Sequence, residues 1–182
     1  MPIVEYRGKK PQIGDNVFIM NSATLIGDVV LGDNVLVMAN VVLRADYSQI
    51  RIGDRVVLLE NSVVNPTPGE PVVIEGDCVV GYGARIHGGM IARMVFVGMN
   101  SVLMHGVELG ERSYLGASAM LPGNARIPVG SVAMGMPARV VREVGPDELG
   151  RIQFAVDHYM KTLERFQREL KWWEIRWNSG ES

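Results

Sequence analysis

The sequence is poor in cysteine, histidine and aromatic residues, and these shortages exclude several classes of protein. A single cysteine, Cys78, cannot form a disulfide within the chain, so we expect a cytoplasmic protein and not a disulfide-stapled secreted one. The 18 basic and 20 acidic residues give a formal net charge of −2, which disfavours a nucleic-acid or anionic-membrane binder. No stretch of about 20 apolar residues is present, so no transmembrane helix is predicted. The N-terminus is too polar for a secretory signal.

Aliphatic residues are abundant instead, and they recur every six positions along most of the chain. The series is interrupted after Leu43 and after Val64, and it shortens by one residue between Ile86 and Ile91. The repeating positions are Ile13, Ile19, Leu25, Leu31, Val37, Leu43, Ile52, Leu58, Val64, Ile74, Val80, Ile86, Ile91, Val97, Leu103, Leu109, Leu115, Leu121 and Ile127. A repeat this short holds one strand and one turn.

Each hexapeptide also has a small or Val side chain four residues after the long aliphatic one, as at Ala23, Ser62 and Cys78. Both positions must face one interior, and that interior is too narrow for many aromatics. Three hexapeptides close one triangular coil, and successive coils stack at strand spacing. The sequence therefore predicts an all-β fold, a parallel β-helix of hexapeptide repeats over residues 1–144. We expect Cys78 to be a buried structural thiol in this core.

A helical segment and a tail follow in residues 145–182. Pro146, Asp147 and Glu148 are typical of a helix start. Apolar residues then recur at helical spacing, at Leu149, Ile152, Val156, Tyr159, Leu163, Phe166, Leu170 and Trp173. We expect a helix packed back along the β-helix, with an independent coiled coil as the alternative. The tail tryptophans, Trp172, Trp173 and Trp177, are expected to cover a coil end or to form a subunit contact.

Four segments carry a resemblance to a known family: residues 43–46, 80–89, 97–102 and 135–138. Together they resemble the γ-class carbonic anhydrases, and most of all the branch that holds a phenylacetate-pathway (PaaY-like) thioesterase and the carnitine-operon protein. The resemblance covers nearly the whole chain. It implies a left-handed coil, a homotrimer, and zinc held by three histidines at the subunit interfaces.

The ligand positions of that family fall on Asn65, Tyr82 and His87 of this chain. Only His87 is a histidine. Neutral phenol and amide groups are poor zinc ligands, so we predict that zinc does not bind with normal affinity. His105 offers a substitute ligand near His87, but a solvated surface histidine is the favoured interpretation, as it is for His158.

Other positions of the family's site are retained. The resemblance places Arg44 and Asp46 near the site and at the subunit interface, where either a catalytic role or an interfacial ion pair is consistent with it. Tyr159 matches a helix tyrosine that reaches the family's site, and a packing role is the alternative. The proline-rich loop 65–71 is expected to border the pocket.

Three functions remain open at this point. The first is a trimeric γ-carbonic-anhydrase-like protein that has lost CO2 hydration and keeps an interface pocket for a bicarbonate-like molecule. The second is an acyl-CoA thioesterase or hexapeptide acyltransferase with His87 as general base. The third is a structural subunit of an assembly in which an intact relative supplies the missing histidines.

Overall fold

A computed structural model describes residues 3–171, and its strands wind into a left-handed parallel β-helix of about seven turns. The strands are β1 (Ile3–Val4), β2 (Gln12–Ile13), β3 (Phe18–Ile19), β4 (Thr24–Leu31), β5 (Leu36–Val37), β6 (Val42–Ile52), β7 (Val57–Leu58), β8 (Val63–Val64), β9 (Val72–Ile74), β10 (Val79–Val80), β11 (Arg85–Ile86), β12 (Gly89–Ile91), β13 (Phe96–Val97), β14 (Val102–Leu103), β15 (Glu108–Leu109), β16 (Tyr114–Leu115), β17 (Met120–Leu121), β18 (Arg126–Ile127), β19 (Ser131–Gly135) and β20 (Ala138–Glu143). They precede one helix in the described residues, α1 (Pro146–Glu169). The predicted fold class is confirmed.

The coil has three faces, each a parallel sheet. The first face is formed by β1, β4, β6, β8, β11, β14 and β17. The second face is formed by β2, β4, β6, β9, β12, β15 and β18. The third face is formed by β3, β5, β7, β10, β13, β16 and β19. Strands β4 and β6 continue through a corner and contribute to two faces, because the chain there stays extended through residues 24–31 and 42–52.

Inside this coil, the aliphatic side chains of successive turns stack on one another, and each strand of a face is here called a rung. On the first face Leu43 pairs with Val64, Val64 with Ile86, and Ile86 with Leu103. All four side chains are at most 2% exposed, and burial of each contributes about 1.5–3 kcal/mol. Ile13, in the first rung of the second face, is 41% exposed because it lies at the end of the stack.

The corners of the coil are turns in the left-handed backbone region. Asn residues are common there because they tolerate positive φ better than most side chains. Asn16 and Asn34 have φ of 53° and 57° and occupy the same corner of successive coils. The Asn16 amide donates to the Asn34 side-chain oxygen at 2.7 Å, so polar ladders tie the corners together.

The helix lies against the third face, where it contacts β3, β5 and β10. Its buried stripe includes Ile152, Val156 and Leu163. The ring of Phe166 lies 5.4 Å from that of Phe18, so the helix runs back toward the first coils. The tryptophans predicted to cover a coil end or a subunit contact, Trp172, Trp173 and Trp177, lie outside the described residues.

Candidate functional site

Three candidate site residues form one outward column on the first face. Arg44, Asn65 and His87 each follow an inward aliphatic residue, and those aliphatic residues are paired in register on successive strands. The three residues therefore occupy consecutive rungs, about 4.8 Å apart. The backbone N–H of Asn65 donates to the Ile86 carbonyl at 2.9 Å, which fixes its position relative to His87.

The side chain of Asn65 is held by its neighbours in this column. Its amide oxygen accepts a hydrogen bond from Arg44 Nη2 at 2.8 Å, and its Nδ2 donates to the Arg44 carbonyl at 3.1 Å. Asp46 Oδ1 lies 3.5 Å from the same Nδ2 and 3.7 Å from Arg44 Nε. Arg44, Asp46 and Asn65 thus form one polar cluster, in which the guanidinium covers the amide oxygen.

His87 lies at the point where the hexapeptide repeat shortens by one residue. Gly89, with φ of 104°, makes this tight corner possible, since a Cβ there would overlap the carbonyl oxygen of Val107. The imidazole of His87 is exposed, while the backbone N–H donates to the Leu103 carbonyl at 2.8 Å. The corner therefore presents the ring outward beside Asn65.

Tyr82 belongs to a different part of the surface, at the corner between the third and first faces. Its hydroxyl lies 3.1 Å from the hydroxyl of Tyr159 on α1. Burial and the hydrogen bond to Tyr82 raise the pKa of Tyr159 well above its usual value, and the nearby Glu60 adds to the shift. The helix tyrosine therefore stays protonated and forms a phenol pair with the coil.

The two remaining histidines do not join His87 in a metal-binding group. His105 is exposed, and its ring lies over Gly123, where an added Cβ would meet Cε1 at 2.7 Å. His158 is exposed and lies between Phe154 and Tyr159, with ring centroids 5.9 and 5.5 Å away. Among residues 3–171, no group of three or more His, Cys, Asp and Glu side chains has the arrangement that holds a metal ion.

Two features near Tyr159 were not found from the sequence. One is an apolar cavity of about 270 Å³ between α1 and the third face, whose rim carries Tyr82 and Tyr159. The other is the carboxyl of Glu60, whose Oε2 is buried without a hydrogen-bond partner in the described residues. A sequence signal for the cavity exists in part, because the small Ala155 lies beside Val156 of the apolar helix stripe.

Cys78 occupies an interior slot of the coil, as expected. The thiol lies 3.1 Å from the carbonyl oxygen of Ala92, and burial raises its pKa to about 12. A thiol held in this neutral form is a poor nucleophile. It is a core group and not part of the candidate site.

The comparison with known proteins agrees with this architecture. Residues 10–45 match the family described as "Bacterial transferase hexapeptide (six repeats)", and residues 94–120 match "Hexapeptide repeat of succinyl-transferase". A carbonic anhydrase of Geobacillus kaustophilus is 34% identical over 92% of this chain and 86% of its own. The chain belongs to the γ-carbonic-anhydrase-like hexapeptide-repeat family. The protein YrdA of Escherichia coli is 32% identical over 88% of this chain and 91% of its own.

Solved structures related to this γ-carbonic-anhydrase-like chain share its coil. A hexapeptide transferase family protein from Anaplasma phagocytophilum superposes with a TM-score of 0.87 at 27% identity, over 91% of this chain and 98% of that one. The N-acyltransferase AntD from Bacillus cereus, at 15% identity, a TM-score of 0.67 and coverage of 83% and 90%, shares the fold alone. Among residues 3–171, no helix combines the length and apolar character needed to cross a membrane.

Proposed function

We propose that this chain forms a γ-carbonic-anhydrase-like homotrimer that has lost CO2 hydration and retains an interface pocket for a small molecule. The observation that carries the proposal is the hydrogen bond from Arg44 Nη2 to the amide oxygen of Asn65 at 2.8 Å. Asn65 stands at a ligand position of the family. Its side-chain oxygen, the atom that would bind a metal, already accepts a hydrogen bond from the positively charged guanidinium of Arg44.

The donors at the three ligand positions do not fit zinc. A catalytic zinc site takes three neutral imidazole or anionic ligands in a tetrahedral arrangement. Here the oxygen of Asn65 faces a guanidinium, which repels a divalent cation, and the Tyr82 hydroxyl is bound to Tyr159. Only His87 supplies a ligand of the right kind. Zinc in an intact site lowers the pKa of bound water to about 7, and these residues have no equivalent means of forming hydroxide.

Metal analysis of the tag-free protein tests the loss of zinc. We expect well under one zinc per chain in the natural sequence and about one zinc per chain in the double variant Asn65→His/Tyr82→His, which gives all three positions an imidazole. A matched double variant, Glu5→His/Lys161→His, adds two imidazoles at exposed positions and should not gain zinc. Stoichiometric zinc in the unsubstituted protein overturns the proposal.

A CO2 hydration assay tests the lost activity directly. The natural protein supplemented with zinc should match the uncatalysed rate, because no metal-bound hydroxide forms. Robust zinc-dependent turnover contradicts the proposal. Arg44 and Asp46 then act in binding: the guanidinium attracts a bicarbonate-like anion, and the carboxylate holds the guanidinium in place.

Native mass spectrometry tests the assembly. We expect a homotrimer, in which the first-face column meets Tyr82 of a neighbouring copy. The structural-subunit alternative predicts instead a mixed trimer with an intact relative when the protein is isolated from its source. We also propose a cytoplasmic location, which fits the single cysteine.

A second candidate function is acyl-CoA hydrolysis or acyl transfer with His87 as general base. The observation that favours it is the exposed imidazole beside Asn65, together with the similarity to a protein described as a member of the hexapeptide transferase family. Thermal-shift measurements with CoA and acyl-CoAs should show stabilisation, and His87→Ala should abolish turnover while His105→Ala leaves it unchanged. No shift with any CoA compound argues against this candidate.

A further inference from the structure

Aspartate side chains form a hydrogen-bonded ladder along the corner between the second and third faces. The Asp15 N–H donates to Asp33 Oδ1 at 2.8 Å, and the Asp33 N–H donates to Asp54 Oδ1 at 2.9 Å. Each of these carboxylates lies over a glycine of the preceding coil, because a Cβ added to Gly14 or Gly32 would meet Asp33 Oδ1 or Asp54 Oδ1. The side chain of one coil thus satisfies the backbone donor of the coil before it.

The ladder ends after Asp54, because the next coil has a glycine at the corresponding position. The in-register pairing of β6 with β9 places Gly76 there. Within residues 3–171, neither the Asp54 N–H nor the Gly76 N–H donates to a protein acceptor. The three atoms nearest to a Cβ added at Gly53 would all be backbone atoms, with Gly76 N first at 2.9 Å. The space that a carboxylate fills over the two earlier glycines is therefore open over Gly53.

A cavity of about 580 Å³ extends from this gap onto the second face. Gly53 and Gly76 line it together with the side chain of Arg51. Arg51 is exposed, and Val30 and Val73 lie opposite it on the neighbouring strands, so its cross-strand neighbours carry no charge. None of the ion pairs in the described part of the chain includes Arg51. Its positive charge is therefore available to a ligand.

The other charged side chains of the cavity are already bound to one another or to the backbone. Asp77 accepts hydrogen bonds from Arg55 at 2.8 Å and from Arg93 at 2.6 Å. Glu75 Oε2 accepts from the Arg93 N–H at 3.0 Å, and the last carboxylate of the ladder accepts the N–H of the coil before it. Each acidic side chain of the lining thus has a partner, whereas two backbone N–H groups and the Arg51 guanidinium have none in the described residues. A negatively charged acceptor complements these donors.

The ladder itself provides the precedent for a carboxylate at this place. The carboxylates of Asp33 and Asp54 already lie on consecutive coils, so the corner tolerates one more negative group at the same spacing. The absence of a side chain at Gly76 leaves room for an acetate-sized group, because an aspartate side chain consists of one methylene and one carboxylate. The cavity is lined by three arginines and three acids, so the placement of the donors attracts the anion and net charge does not.

We propose that this cavity binds a small organic carboxylate, which takes the place of the missing ladder side chain. Its oxygens accept hydrogen bonds from the Asp54 N–H and the Gly76 N–H and face the Arg51 guanidinium. The proposed contact between copies uses the first face and the corner that carries Tyr82, and this site lies at neither. The carboxylate site is therefore independent of the loss of zinc and of CO2 hydration.

Acetate, acetamide and phosphate separate the charge of the ligand from its shape. Residue-resolved amide NMR of the full-length protein, at constant ionic strength, should show acetate moving the Asp54 and Gly76 signals to saturation. Acetamide has the same shape without the charge, and it should bind about 10-fold more weakly, since hydrogen bonds between charged groups are the stronger ones. Phosphate is larger and tetrahedral and should bind more weakly than acetate. Equal affinities of acetate and acetamide, or tighter binding of phosphate, overturn the proposal.

Substitutions at the gap and on the second face locate the site. Gly76→Asp should restore the ladder and abolish acetate binding. Gly76 has no positive φ, and a Cβ there would meet the Asp54 carbonyl oxygen at 3.1 Å, so the substitution requires only a small shift. Arg51→Ala should lower acetate affinity about 10-fold. Arg126→Ala is the control, because Arg126 lies in the same outward column of the second face, pairs with Glu108 and does not line the cavity.

A further variant keeps the test decisive if Gly76→Asp does not fold. Val73→Glu places a carboxylate opposite Arg51, so it should compete for the guanidinium and lower acetate affinity about 10-fold. Acetate binding that these substitutions weaken and Arg126→Ala retains supports the proposal. Full affinity in Arg51→Ala contradicts it.

The positions of the NMR changes decide the remaining outcomes. Acetate-dependent changes confined to Arg44 and Asn65 place the anion at the first-face column and overturn the proposal. No change at Asp54 and Gly76 at any acetate concentration overturns it as well. A response of these two amides to Ca²⁺ in place of acetate identifies a cation site, which is the third result that overturns it.

Discussion

The guanidinium of Arg55 lies 2.7 Å from the carboxylate of Asp157, a contact that joins the coil to the helix across 102 residues of sequence. The same guanidinium binds Asp77 at 2.8 Å, and Arg93 binds the other oxygen of Asp77 at 2.6 Å. These hydrogen bonds raise the pKa of Arg55, that with Asp77 most. A charged network thus holds α1 at one orientation against the third face, and with it the position of Tyr159.

Replacing Arg55 with Ala should loosen the helix. We expect the Tm to fall by up to about 4 °C, because partly exposed ion pairs contribute modestly. The effect should shrink in 1 M NaCl, which screens the charges. Arg168→Ala is the control, since Arg168 binds the adjacent Glu169 within the helix. Equal effects of the two substitutions in a thermal unfolding experiment would contradict a clamp at Arg55.

The buried serines of the coil should respond to substitution in opposite directions. Ser62 and Ser113 have hydroxyls that are buried without a hydrogen-bond partner in the described residues, whereas Ser101 donates to the Gly98 carbonyl at 2.7 Å. Ser62→Ala and Ser113→Ala should each stabilise the fold by about 1 kcal/mol, because the penalty of an unpaired hydroxyl is removed. Ser101→Ala should cost about 1 kcal/mol.

Chemical denaturation of the three serine variants measures these free energies. All three residues occupy the same position of the hexapeptide and are fully buried. The change in backbone propensity from Ser to Ala is therefore the same in each variant, and it cancels when the three free energies of unfolding are compared. Destabilisation by Ser62→Ala and Ser113→Ala equal to that of Ser101→Ala would show that the unpaired hydroxyls carry no penalty.

Tyr159→Phe should change how stability depends on alkaline pH. The pKa of Tyr159 is raised in the folded protein above its ordinary value of 10.0, so the stabilisation is fully present below pH 10 and is lost as pH rises beyond it. At pH 8 the variant should be less stable by about 1 kcal/mol, the net contribution of one hydrogen bond. The difference should narrow by pH 11 in urea unfolding curves. A constant difference across this range would contradict the shift.

Glu148 should account for part of the stability that the protein loses at acidic pH. Its carboxylate accepts hydrogen bonds from Arg142 at 2.7 Å and from the Gly145 N–H at 2.9 Å, and these lower its pKa to about 2. The resulting stability is present above pH 4.5 and is lost as pH falls toward 2. Glu148→Gln should lower the Tm by about 2 °C at pH 7, and this difference should shrink as pH falls through 2.

Asp147→Asn is the matched control for the pH dependence of the Tm. Asp147 also lies in the first turn of α1, but Glu148 is the residue that binds Arg142 and the Gly145 N–H. Asp147→Asn should therefore have the smaller effect at pH 7 in circular dichroism melts. A larger effect of Asp147→Asn would place the helix cap elsewhere.

The coil could be predicted from the sequence because each rung repeats the same local requirement. Insertions separate Leu43 from Val64 by 21 residues and Val64 from Ile86 by 22, yet the structure pairs them in register on neighbouring strands. The exposure of Ile13 was not predicted, because the periodicity marks every repeating position as buried. The burial of a side chain also depends on whether a neighbouring rung packs on each side of it, and Ile13 has a neighbour on one side only.

The contacts of the candidate site were less accessible to sequence reasoning. The hydrogen bond between Arg44 and Asn65 follows from the register, since both residues come directly after an inward aliphatic one, and could have been deduced. The Tyr82–Tyr159 contact could not, because it depends on how far α1 is displaced and rotated along the third face. The apolar stripe gives the buried side of a helix but not its position along a uniform coil.

The stack of rungs has direction, and its two ends differ. At the C-terminal end of the third face, β20 returns antiparallel to β19, with Ser131 opposite Glu143 and Gly135 opposite Ala138. The hairpin covers the edge of β19 where the next parallel rung of the third face would pair, in the way that covered edges limit strand addition between molecules. The hairpin thus gives an otherwise open-ended repeat a defined length.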